Sequence, residues 1–180
     1  MQFKTLLCFA SIISVALAVA TIQNVLTDVS NIDSKVVALH SGVTSFPQTD
    51  GTATQGLAIH QQVTETIDAM EQAIETAKEL NVAVEIEDAH TILDAFHQLV
   101  PLIQIACEDV VKKKDAFISI NLMLGRGAAV VKLDLLDLKQ AVLDLHVALL
   151  AHSPPDCVEE AKSLDDEVKA ALDAAIAAYD

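Results

Sequence analysis

The sequence holds no tryptophan, and its single tyrosine is Tyr179; aromatic residues make up 3% of the 180 residues against 52% hydrophobic residues overall. A core drawn from such a chain is aliphatic, built from Val, Ile, Leu and Ala, and it offers few groups able to orient a polar substrate. Basic residues are scarce as well, 11 against 26 acidic ones, for a formal net charge of −15. That excess argues against nucleic acid and anionic membrane surfaces as partners. Tight cysteine and histidine spacings such as CxxC or HExxH are absent, so no metal site is expected. No serine or cysteine lies in a nucleophile-elbow pattern. Neither an enzyme nor a cofactor is therefore expected.

What the chain does have is aliphatic periodicity. It opens with MQFKTLLCFASIISVALAVA, a lysine followed by a short apolar run ending in small residues. This is expected to be a secretory signal peptide over residues 1–18, cleaved after Ala18 or Ala20, followed by a single domain over 19–180. Secretion would leave Cys107 and Cys157 as an even pair, and in an oxidising setting such a pair predicts a disulfide. Closing a loop of about 50 residues would contribute roughly 4 kcal/mol. The alternative is two buried free thiols held too far apart to bond.

Apolar residues recur at helical spacing from Ile22 to Val43, predicting a first helix that ends near Phe46-Pro47. The stretch from Ser41 to Gly56 reads as a loop, with a helix N-cap at Thr52 or Thr54. A second helix carries Ile59, Val63, Ile67, Met70, Ile74 and Leu80, stopping around Asn81. A third runs from near Glu85 toward Phe117 with Pro101 in its middle, where a kink is expected. Gly125 and Gly127 precede a fourth helix, Pro154-Pro155 turn the chain, and a fifth carries Val158, Leu164, Val168, Leu172 and Ile176. No strand signal is evident. The expected fold is all-α, an antiparallel bundle of about five amphipathic helices.

The fourth helix, KLDLLDLKQAVLDLHVALL from Lys132 to Leu150, is apolar over more of its circumference than one packed face requires. Winding it at ~100° per residue places Asp134, Asp137, Ala141, Asp144 and Ala148 on one narrow side, expected to be solvated. One apolar row holds Leu135, Leu138, Val142, Leu145 and Leu149. A second holds Leu136, Leu143, Val147 and Leu150, with Lys132, Lys139 and His146 along the seam between them. Two partners are needed for two rows, either two helices or one helix and a ligand. The candidate ligand-lining residues are Leu93, Phe96, Val100, Ile103, Leu135, Val142, Leu143 and Leu149, with Lys139 or His146 at a head group. The simpler reading of the seam is that the lysine stems cover it while their ends reach water or an acidic neighbour.

Two further clusters are weaker. His90, Asp94 and His97 share one helical face, which by itself does not make a metal site. Lys112, Lys113 and Lys114 read most simply as a last turn compensating its own helix dipole. The other reading sets them around a cavity mouth, attracting an acidic lipid.

With these features in place, the chain resembles the fungal hydrophobic surface-binding protein A family, which includes domains of cell-wall galactomannoproteins. The resemblance rests on IQNVLTDVSNIDSKVVAL, on the proline-bearing LVPLIQIACEDVVKKKDAF and on the closing AAIAAY. It implies a secreted all-helical domain that adsorbs to hydrophobic surfaces or sequesters a fatty acid, and that assists a secreted esterase. The chain ends at Tyr179-Asp180 without the Ser/Thr-rich stalk and apolar tail of anchored members, and without an Asn-x-Ser/Thr sequon. A freely secreted or loosely wall-associated protein, with no transmembrane anchor, is expected. The competing reading is a cell-wall structural or protein-interaction module with no ligand.

Overall fold

The structure is a computed structural model, which describes residues 20–122 and 125–180. The expected signal peptide falls outside the described residues, apart from the alternative cleavage position at Ala20. Helix α1 (Ile22–Ser45) begins at Thr21 and α2 (Ala53–Lys78) at Thr52, each with a reciprocal capping box. Thr21 Oγ1 accepts from the Asn24 amide, while the Asn24 side chain accepts from the Thr21 amide at 2.9 Å. Gln55 does the same for Thr52 at 3.0 Å. These pairs satisfy the amides that a first helical turn leaves without partners, and they place the second start at the first of the two expected threonines.

Helix α3 (Ile86–Lys112) stops short of the expected end, and a separate turn of helix, α4 (Lys114–Ser119), follows it. Pro101 sits inside α3 at an exposed position, where its ring removes the amide that would bond the His97 carbonyl. A two-residue antiparallel ladder, β1 (Asn121–Leu122) with β2 (Gly125–Arg126), then carries the chain to α5 (Gly127–Leu150). This small hairpin was not foreseen. It depends on Gly125, whose φ of 142° suits glycine, and on Gly127, where a Cβ would lie 2.1 Å from the Phe117 carbonyl oxygen. A 3-10 turn at Pro155–Cys157 leads into α6 (Val158–Ala178).

The five long helices alternate in direction along the chain, as the sequence predicts, but their spatial order is different. Packing runs α1–α2–α5–α6–α3 and back to α1, a closed ring in which α2 and α3, though consecutive, are not neighbours. Cross-helix side-chain pairs give the directions. Lys35 with Glu65 and Thr76 with Asp28 join α1 and α2 antiparallel. Lys132 with Asp180 and Lys139 with Asp173 do so for α5 and α6. His97 with Glu160 and Gln104 with Glu167 show that α3 and α6 run in the same direction. Helices α1, α3 and α6 therefore all end at one end of the bundle.

That end explains the lysine cluster. Lys113 is buried at 6% exposure, and its Nζ donates to the carbonyls of Val43 and Thr44 at 2.7 Å each, on the last turn of α1. Lys114 donates to the Ala178 carbonyl on the last turn of α6 and lies over the Tyr179 ring. Only Lys112 stays with its own helix, pairing with Glu108 and Asp109. Two of the three lysines thus cap neighbouring helices rather than their own or a cavity mouth. The Phe46 and Phe117 rings stack beside them at 4.2 Å between centroids.

The facing of α5 corrects the sequence reading. Asp134, Ala141 and Ala148, expected on the solvated side, are buried, with Ala141 and Ala148 packed into a cluster with Ala69, Ala73 and Ala77 of α2. Small residues on both helices permit close approach, so Asp134, Ala141 and Ala148 form a contact edge, while Asp137 and Asp144 on the same side are exposed as expected. Of the second apolar row, Leu136 and Val147 are 41% and 67% exposed, and Leu133 beside them is 58% exposed. That row is the one left without a helix.

The expected disulfide is also corrected, since Cys107 and Cys157 are both buried free thiols. Glu160 of α6 stands level with His97 of α3, so Cys157 lies level with a residue near 94. Cys107 is then further along the parallel axis by about 20 Å at 1.5 Å per residue, whereas a disulfide needs Cα atoms within about 7 Å.

Candidate functional site

The ring encloses two apolar cavities, of ≈ 100 Å³ and ≈ 70 Å³. A single water centre needs only about 10 to 15 Å³ of such space, so each is more than a packing defect, and neither is sealed from the outside. The larger lies toward the end formed by Leu80, Ala89 and Cys157, and the smaller toward Val43, Val110 and Phe117. They meet at Val36 of α1, Met70 of α2, Ile103 of α3 and Val142 of α5, which line both. Along α3 the combined lining runs from Ala89 to Val110, about 32 Å at 1.5 Å per residue.

Most of the predicted lining residues come together here. Leu93, Phe96, Val100, Ile103, Val142, Leu149 and His146 line the larger cavity, and Leu135 joins Ile103 and Val142 on the smaller one. Leu143 and Lys139 line neither. Lys139 is held on the outside of the α5–α6 seam by Asp173, as Lys132 is by Asp180, which is the snorkelling arrangement. His97 likewise faces an α6 acid, with Nε2 2.6 Å from Glu160 Oε1.

Sequence reasoning missed the contribution of α1 and α2, whose Val25, Ile32, Val36 and Met70 line the larger cavity. Their apolar stripes have the ordinary width of a packed helix and give no sign of a void. It also missed the polar groups. Asp134 lines the smaller cavity with its Oδ1 2.8 Å from His60 Nδ1, and burial pushes its carboxyl up to about 6 despite the opposing effect of His60. Asp165 lines the larger one together with His146, His152 and Ser153. The two thiols are divided between the cavities, Cys157 on the larger and Cys107 on the smaller. Burial pushes the Cys107 thiol up to about 12, so it is no thiolate nucleophile.

A ring of five helices closed around an aliphatic void, with polar groups confined to a few lining positions, defines an all-α bundle with an apolar interior. The family follows from the sequence match: residues 22–151 fit the model of hydrophobic surface binding protein A, and the chain belongs to that family. Solved structures share the fold. Ligand binding domain 1 of the Penicillium marneffei MP1 protein, complexed with arachidonic acids, superposes with a TM-score of 0.76 at 18% identity, covering 89% of this chain and 99% of that one. AfMP4P in complex with palmitic acid gives a TM-score of 0.79 at 22% identity, covering 89% and 100%. Ligand binding domain 2 of the MP1 protein, complexed with multiple arachidonic acids, gives 0.75 at 14% identity, covering 88% and 96%. No curated protein matches the chain significantly in sequence.

Proposed function

We propose that this protein is a non-catalytic carrier that takes a single aliphatic lipid chain, such as that of a fatty acid, into the interior of its helical ring, and that it also adsorbs to apolar surfaces. The observation carrying the first half is the pair of cavities meeting at Val36, Met70, Ile103 and Val142, with a combined lining that spans most of the bundle. At roughly 0.8 kcal/mol per buried methylene, a chain of about 16 carbons supplies around 12 kcal/mol before reorganisation is subtracted. The AfMP4P and MP1 structures support this reading, since they hold palmitic and arachidonic acids on the same fold.

The second half rests on the exposed row of α5, where Leu133, Leu136 and Val147 stand unpartnered. Among the described residues no helix is long and apolar enough to cross a membrane. The protein fits a secreted, extracellular role, free or loosely associated with a cell wall, delivering an esterase or itself to a solid apolar substrate. Native mass spectrometry of the purified protein titrated with palmitic acid and, separately, with 1-hexadecanol tests the carrier reading. A discrete mass increment of one lipid is the expected result. An unchanged apo mass across both titrations leaves adsorption or a purely structural role in its place.

A further inference from the structure

The larger cavity carries one polar group without a partner. Asp165 lines it, with a side chain only 9% exposed, and its Oδ1 is buried and accepts no hydrogen bond. The other oxygen, Oδ2, faces two basic side chains at the long distances of 4.0 Å from His146 Nε2 and 3.8 Å from Lys169 Nζ. Lys169 is also drawn outward by Asp166 at 3.4 Å. Of the neighbouring lining groups, Ser153 Oγ already donates to the Leu149 carbonyl, and the His146 and His152 rings stand at the same end without donating to Oδ1. Asp134 on the smaller cavity differs, because its Oδ1 is bonded to His60 at 2.8 Å.

A buried acceptor without a donor is a costly thing to leave in an apolar wall. The two seam lysines are bound to Asp180 and Asp173, and His146 and Lys169, the basic groups beside this wall, face Asp165 itself. A lipid carboxylate brought to this wall meets a second carboxylate, whereas a hydroxyl brings the missing proton.

Resting on the carrier reading above, we propose that the larger cavity is built for a lipid whose head group donates a hydrogen bond, a long-chain alcohol, with Asp165 Oδ1 as its acceptor. The chain lies along Leu93, Val100 and Leu149, and the hydroxyl sits at the Asp165, His146 and His152 end. Asp165 is thus a specificity-determining residue, selecting the neutral alcohol over the acid of equal length.

The test measures displacement of the neutral fluorophore N-phenyl-1-naphthylamine at pH 8 by three ligands of one chain length: 1-hexadecanol, methyl palmitate and palmitate. Hexadecanol is expected to bind about tenfold or more tighter than the methyl ester, on the scale of one hydrogen bond to a buried charged acceptor, and palmitate weakest. Asp165→Asn keeps an acceptor oxygen and removes the charge, so palmitate is expected to gain affinity severalfold while hexadecanol changes little. Equal binding of hexadecanol and methyl palmitate overturns the donor requirement. Palmitate binding as tightly as hexadecanol overturns the selection, and the wild-type comparison suffices for both should the variant fail to fold. A gap between alcohol and acid that persists unchanged in Asp165→Asn removes the assignment to this residue. If none of the three ligands displaces the fluorophore or adds mass to the protein, the carrier reading itself fails and this inference falls with it.

Discussion

Lys113 shows how far a single side chain can act from the helix that carries it. Its ammonium is buried, and it closes the carbonyl end of α1 through Val43 and Thr44. Removing it leaves the Thr44 carbonyl without a donor and the Val43 carbonyl with only the Phe46 amide, at a helix terminus. Lys113→Met, which keeps the aliphatic stem, is expected to cost roughly 3 kcal/mol, a fall in melting temperature of about 6 to 12 °C at this chain length. Lys112→Met, made at a side chain that is mostly solvated, is expected to leave the melting curve nearly where it was. Asp134 allows a test by pH. Its folded-state carboxyl titrates near 6 against an ordinary 3.8, so the unfolded chain releases that proton first. The group favours the folded state most below about pH 4 and loses that advantage as pH rises to about 6, by on the order of 3 kcal/mol at 1.36 kcal/mol per unit. Thermal melts of Asp134→Asn across pH 4 to 7 are expected to lack this fall. Neither residue's role was legible in the sequence, because each depends on which helix end or histidine the fold brings alongside.

Among the elements, α5 separates what periodicity reveals from what it conceals. Its breadth of apolar surface pointed to more than one packed face, and the row from Leu135 to Leu149 does face inward. Asp137 and Asp144 do face solvent; the error was to place Ala141, Ala148 and Asp134 there with them. Ala141 and Ala148 are buried because α2 brings alanines against them, and Asp134 because His60 of α2 meets it. A helical wheel holds no information about the neighbour's side-chain sizes. Ala141→Leu is expected to destabilise the fold by about 1 to 3 kcal/mol through overpacking, which urea denaturation would register. The double change Leu133→Glu and Val147→Glu is expected to leave stability nearly unchanged while lowering adsorption to hydrophobic beads severalfold. The five long helices, a cap at Thr52 or Thr54 and the prolyl turn before α6 were readable, since caps and breaks are local chemistry, whereas the short α4 was not. The ring order was not, because chain neighbours need not be spatial neighbours: the α2–α3 connection passes between helices that do not pack together.

For the whole molecule, the partition at Val36, Met70, Ile103 and Val142 decides how long a chain the interior accepts. Met70 is the most deformable of the four, an unbranched thioether. Met70→Trp is expected to fill the junction and divide the interior. In the carrier reading, the affinity for a C16 ligand should then fall toward that of a C8 or C10 ligand, which the substitution should affect far less; competition binding across a series of chain lengths measures this. Because the two thiols stand about 20 Å apart along parallel helices, reducing agent is expected to leave the melting temperature unchanged, whereas a disulfide across that loop would have lost about 4 kcal/mol.

Among the described residues the five long helices close into a ring, so in the carrier reading a whole lipid chain enters most easily where two helices part. Of its contacts, the one between α5 and α6 is the thinnest, and it is fastened by the ion pairs of Lys132 with Asp180 and Lys139 with Asp173. Such partly exposed pairs hold weakly and yield to screening by salt. The seam then works as an ionic zip: raising salt should speed exchange of a bound chain, seen in stopped-flow transfer to vesicles, more than it changes the equilibrium affinity. Where such a protein sheds its cargo would be governed as much by the saltiness of its surroundings as by the lipid itself.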